Sequence, residues 1–129
     1  MKTDRGTSTY EGVTIQSVLE LTGAQMGRGL RGDRLLGFIL VDGAPPPVGS
    51  IRDPHREDAD DYRAVFSMAE VDSTFSEQPA ILASTRDGKP LPSPAGPFQV
   101  ISPQDKRPTR WIKSVRLIWL LHGDYALSP

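Results

Sequence analysis

Lys106, Arg107, Arg110, Lys113 and Arg116 crowd one short stretch of the chain, with Trp111 in their midst and Asp105 as the nearest counter-charge. Guanidinium and ammonium groups on a loop beside a sheet suit phosphate or another anion, Arg as a planar fork and Lys as a point charge. The indole of Trp111 offers a face on which a flat ring such as a base can stack. Lys113, Arg110, Lys106 and Trp111 are therefore the candidate cofactor-binding residues. The competing reading is plainer. A charge run is ordinarily solvated surface, here facing the acidic stretch 57–61, and a tryptophan on an extended segment is ordinarily core.

Other constellations carry less chemistry. Asp53, His55, Glu57, Asp58, Asp60 and Asp61 are metal-ligand types, but the EF-hand spacing and HExxH are both absent. The stretch reads as a solvated acidic loop. Gly27-Arg28-Gly29-Leu30-Arg31-Gly32 matches GxGxxG, yet it lacks the strand before and the helix after that a dinucleotide site needs. A Gly/Arg turn accounts for it. Ser67 and Glu70 form an S-x-x-E capping box without invoking catalysis. His55 and His122 stand apart from any GxSxG elbow. The chain contains no cysteine, so thiolate nucleophiles and thiolate metal ligands are excluded, and the redox compartment is unreadable.

The elements that must carry these residues follow from periodicity. Tyr10 to Val13 reads as extended chain after a frayed start at 1–8. Thr14 is placed to cap a helix over 15–22, with Val13 and Val18 as a hydrophobic staple and Gly23 as its stop. Leu35 to Val41 reads as a buried strand, followed by a long Pro-rich, acidic loop over 42–61. Tyr62 to Phe66 is a strand, and the capping box starts a short helix from Met68 to Asp72. Phe75 is a core candidate. Pro79 to Ser84 is a strand and Asp87-Gly88 a hairpin turn. Pro90, Pro92, Pro94, Pro97, Pro103 and Pro108 make the following stretch punctuated extended chain. Phe98 to Ile101 and Trp111 to Leu121 are strands. In the last, Trp111, Lys113, Val115, Leu117, Trp119 and Leu121 share a face that is apolar but for Lys113, and alternation turns it toward the core. Lys113 would then need an anion, a carbonyl or a route to water. The order predicts an α+β fold, a mixed, mostly antiparallel sheet with a few short helices.

The chain has 129 residues, which suits a single domain over 1–129 with its core at about 10–121. Twelve prolines and twelve glycines predict a loop-rich fold. Fifteen basic residues against sixteen acidic give a net charge of −1, so no global field draws nucleic acid. No apolar run reaches the roughly twenty residues of a membrane span. The opening MKTDRGTSTYEG lacks the apolar core of a secretory signal.

Taken as an ordered set, the segments resemble the oxidoreductase molybdopterin-binding domain, the fold of sulfite oxidase and its relatives. The residues that carry the likeness are Gly88-Lys89-Pro90-Leu91, Gly96-Pro97-Phe98-Gln99-Val100-Ile101, Pro103 and Trp111-Ile112-Lys113-Ser114-Val115. Upstream, Tyr10-Glu11-Gly12-Val13-Thr14-Ile15 with Val18-Leu19, and Tyr62 to Asp72, resemble that family's first helix and its strand with short helix. The likeness spans about Tyr10 to Leu121. It implies a sulfite oxidase-like sheet, molybdopterin as cofactor, and Lys113 near the pterin, with Lys106, Arg107 and Arg110 on the approaching loop. The chain departs from the pattern by lacking the cysteine that ligates molybdenum and by being shorter than the enzymes' cofactor domain. The expectation is a non-catalytic, reduced version that binds a pterin- or phosphate-bearing anion. The alternative is a cofactor-free interaction module with a protein partner.

Overall fold

The computed structural model describes residues 2–5, 8–24, 26–27, 32–43 and 63–122. Strand β1 (Lys2–Arg5) leads into β2 (Ser8–Thr14) and helix α1 (Ile15–Leu21). A 3-10 turn (Gly32–Leu36) precedes β3 (Gly37–Gly43). Then come β4 (Arg63–Ser67), α2 (Met68–Val71), β5 (Ile81–Arg86), β6 (Lys89–Pro90) and β7 (Gln99–Ile101). A second 3-10 turn (Pro108–Arg110) leads to β8 (Val115–His122). The fold is α+β; among the described residues every strand pairing is antiparallel and the helices are short.

The strands form two sheets. The first runs β1-β2-β5-β6, with β7 also paired to β5; the second runs β4-β3-β8. Alternation along β5 and β7 gives the first sheet two apolar faces. Leu82 and Val100, opposite each other in register, pack into a main core with Ile39, Val41 and Phe66 of the second sheet and Ile15 and Leu19 of α1. Ile81, Ala83 and Ile101 point the other way, under Leu91, Ala95 and Tyr10, with Trp111 packed against them. One sheet thus stands between two apolar clusters.

Local chemistry sets the element ends. The Thr14 hydroxyl accepts from the Ser17 N–H at 3.1 Å, and Gly23, at φ 93°, donates its N–H to the Glu20 carbonyl, closing α1. Ser67 and Glu70 complete a reciprocal capping box on α2. Asp87 and Gly88 both take positive φ, 53° and 81°, as a two-residue hairpin turn between β5 and β6 requires. Gly43 sits where the β3–β8 register shifts, and a Cβ there would collide with the Lys113 carbonyl.

Several expectations are corrected. The start of the chain is not frayed throughout: Lys2 to Arg5 pair with β2. Asp42 and Gly43 belong to β3 rather than to the loop that follows. Phe75 is half exposed instead of core, in a turn whose amide bonds back to the Asp72 carbonyl. The last strand begins at Val115, not Trp111, because a 3-10 turn and a positive φ at Ser114 break the extended run. Val115 packs on the core as alternation assigns it, and the register shift beside Gly43 inverts the facing beyond it. Ile118 packs on the main core, while Leu117 and Trp119 lie 46% and 48% exposed on the opposite face. Residues 28–31, His55 and the acidic stretch 57–61 lie outside the described residues.

Candidate functional site

The basic loop is built around one arginine. Pro108 opens the 3-10 turn, and Arg110 closes it beneath β4. The guanidinium grips Asp105 bidentately, Nε to Oδ2 at 2.9 Å and Nη2 to Oδ1 at 2.7 Å. It donates to both Glu70 oxygens at 3.0 and 3.3 Å, and to the Val65 carbonyl at 2.9 Å. All five guanidinium N–H donors are thereby used. Its carbon lies 4.2 Å from the centre of the Phe66 ring, a cation–π contact at the rim of the main core.

Electrostatics agree with this commitment. Partial burial alone would raise the Glu70 pKa. Hydrogen bonds from Arg110 and the Ser67 N–H, and the arginine's charge, outweigh it and hold the carboxyl below its usual range. The Arg110 pKa is raised, chiefly by its hydrogen bonds to Asp105 against the cost of burial, with Glu70 adding to the effect. Glu70 is the partner that sequence reasoning missed. Its capping-box role explained it fully, and nothing in the sequence places Arg110 beside it.

Trp111 is likewise engaged. Its Nε1 donates to the Ser102 carbonyl at 3.1 Å, and its ring meets Tyr10 edge-on, centroids 5.7 Å apart. Its own carbonyl accepts from Gln99 Nε2 at 3.2 Å. Lys113 is exposed, not on the core face that alternation assigned it, and Lys106 and Arg107 are exposed beside it in sequence. The site residues therefore divide: Arg110 and Trp111 serve protein contacts, and the two lysines face outward.

Molybdopterin needs a stacking or hydrogen-bonding cradle and a ligand for its metal. Arg110 has no free donor, the Trp111 indole N–H is taken, and the sequence has no cysteine. Arg110 and the Trp111 N–H are thus committed to the protein itself. Among the described residues, no cluster of His, Asp and Glu stands together as a metal site. Asp72, fully buried, accepts from the Gly27 and Thr74 amides and ties two turns together.

The open chemistry lies on the second sheet. Register places Val65, Leu40 and Trp119 in one row across β4, β3 and β8, and Ser67, Phe38 and Leu121 in the next. Leu117 continues the apolar column on β8. Val65, Leu117 and Trp119 are each about half exposed. At the lower end the nearly buried Asp42 carboxylate lies 3.6 Å from Arg63 and 3.7 Å from Arg116. The result is an outward apolar face with a charged border. Among the described residues, no helix is long and apolar enough to cross a membrane. Comparison with family models, curated proteins and solved structures finds no match for this chain.

Proposed function

We propose that this chain is a cofactor-free interaction module, and that its working surface is the outer face of the β4-β3-β8 sheet. One observation carries the reading. Val65, Leu117 and Trp119 remain about half exposed in adjoining register rows, flanked by Phe38, Leu40 and Leu121, on a sheet whose other face packs on the main core. Apolar side chains scattered singly need no explanation, but a contiguous face does. Desolvating such a face drives association, and the Asp42, Arg63 and Arg116 border supplies orientation.

The likeness to the oxidoreductase molybdopterin-binding domain then describes scaffold ancestry rather than activity. The rival reading, binding of a pterin- or phosphate-bearing anion, draws on the exposed Lys113 and Lys106. It must do without Arg110 and Trp111, which are already engaged.

The test has two arms. Protein purified from cells that make molybdopterin is assayed for molybdenum, and its binding of an apolar fluorescent dye is compared with that of a Leu117→Lys/Trp119→Lys variant. The expected result is no bound metal, and dye binding that the double substitution removes without lowering the melting midpoint. Stoichiometric molybdenum, or dye binding indifferent to the substitutions, would sink the proposal.

A further inference from the structure

We infer that the partner of this module is a second copy of the chain, paired antiparallel along the free edge of β8 so that the two outer faces join; this rests on the interaction-module reading above. The longest strand among the described residues lies at the edge of its sheet, where proteins ordinarily keep strands short or blunted. The N–H of Val115 bonds to the Phe98 carbonyl, but from Arg116 to His122 the described residues offer the outer edge of β8 no backbone partner. A row of unpaired amides and carbonyls is completed by another strand, not by a small molecule.

The opposite edge is closed. On β4 the Arg110 guanidinium occupies the Val65 carbonyl, and the Glu70 carboxylate takes the Ser67 N–H. A head-to-tail contact of β8 with β4 of the next copy is therefore obstructed. Edge pairing between copies of this sheet is left with β8 against β8, which is isologous and closes at two copies.

The free stretch fixes the register. Side chains opposite each other in an antiparallel pair point to the same face, so a two-fold axis passes through a residue position. Arg116 to His122 is centred on Trp119. Pairing about that centre sets Trp119 beside its own copy, Leu117 opposite Leu121 and Ile118 opposite Leu120. Arg116 falls opposite position 122, so no two arginines face each other, and β8 contains no acidic residue to leave unpaired. The apolar column on the outer face becomes continuous across a six-strand sheet, and Leu120, partly exposed on the inner face, gains a neighbour.

The absence of cysteine makes the test clean. Sedimentation equilibrium of the full chain should give twice the monomer mass at concentrations up to about 100 µM, the range of a modest interface. Trp119→Lys should weaken dimerisation at least about tenfold, as loss of a central aromatic does, with an unchanged circular dichroism spectrum. Trp119→Cys should form a disulfide-linked dimer under mild oxidation, because opposed Cβ atoms lie about 5 Å apart. Val65→Cys, two strands away, should not. A wild-type chain that stays monomeric, or a dimer that cross-links through Val65 and not Trp119, would overturn the pairing. If that monomer is molybdenum-free and still binds dye at its outer face, the interaction-module reading stands and only the partner is wrong.

Discussion

At the residue scale, Arg110 decides most. A guanidinium with five satisfied donors is a keystone, because its removal strands partners as well as itself. Asp105 is largely buried, and Arg110→Ala would leave it without its bidentate partner. Partial exposure of the network tempers the loss, which we expect at roughly 1–3 kcal/mol by urea unfolding. Arg110→Lys should recover less than half of it, since an ammonium cannot fork to two carboxylates and a carbonyl. Full recovery by lysine would mean that charge alone matters. Glu70 gives the pH dependence. Its folded pKa lies below the unfolded value, so its stabilisation is present above the unfolded pKa and is lost as pH falls through the folded one. Wild-type stability should thus drop more steeply below about pH 4.3, the ordinary Glu value, than that of Glu70→Gln. Parallel curves for the two proteins from pH 6 to 3 would refute the assignment. The capping box was legible from Ser67 and Glu70 alone, because it is local. The ion pair was not, because nothing in the sequence brings positions 70 and 110 together.

At the element scale, β8 shows what periodicity can and cannot supply. Alternation correctly marks Leu117, Trp119 and Leu121 as sharing a face. It cannot say which face meets the core when both are apolar, as Ile118 and Leu120 make the other. Run back to Trp111, alternation puts Ser114 and Arg116 on that second face and makes it look polar. The turn at Pro108–Arg110 and the positive φ of Ser114 separate residues up to Ser114 from the strand proper, and the register shift beside Gly43 brings Arg116 to Asp42. Helix α1, the Ser67 cap and the Asp87-Gly88 hairpin were readable because each depends on neighbours within four positions. The strand β1 was not, because Lys2 to Arg5 carries no β signature and forms only against β2. Gly43 tests the β8 geometry. It lies under the Lys113 and Ser114 carbonyls at the register shift, and a methyl group there has backbone to displace. Gly43→Ala should cost roughly 1–3 kcal/mol, as overpacking does. A neutral effect would show that the entry into β8 yields readily.

At the scale of the whole molecule, the first sheet links two apolar clusters through opposite faces of the same strands. Ile81 points into the Tyr10 cluster while its neighbour Leu82 packs on the main core. Neither cluster can lose β5 without the other feeling it, so the chain should unfold in one cooperative step. The two tryptophans allow a direct check. In a Trp119→Phe background, Trp111 reports the Tyr10 cluster alone, and far-ultraviolet circular dichroism reports the strands and helices together. The two probes should give the same urea midpoint. Ile81 is fully buried, so Ile81→Ala should lower stability by about 3 kcal/mol through lost burial and the cavity left behind. If β5 couples the clusters, both probes must shift by the same amount. A Trp111 transition that moves while the dichroism midpoint stays would mean that the smaller cluster opens independently, and that the sheet joins the two without making them one unit.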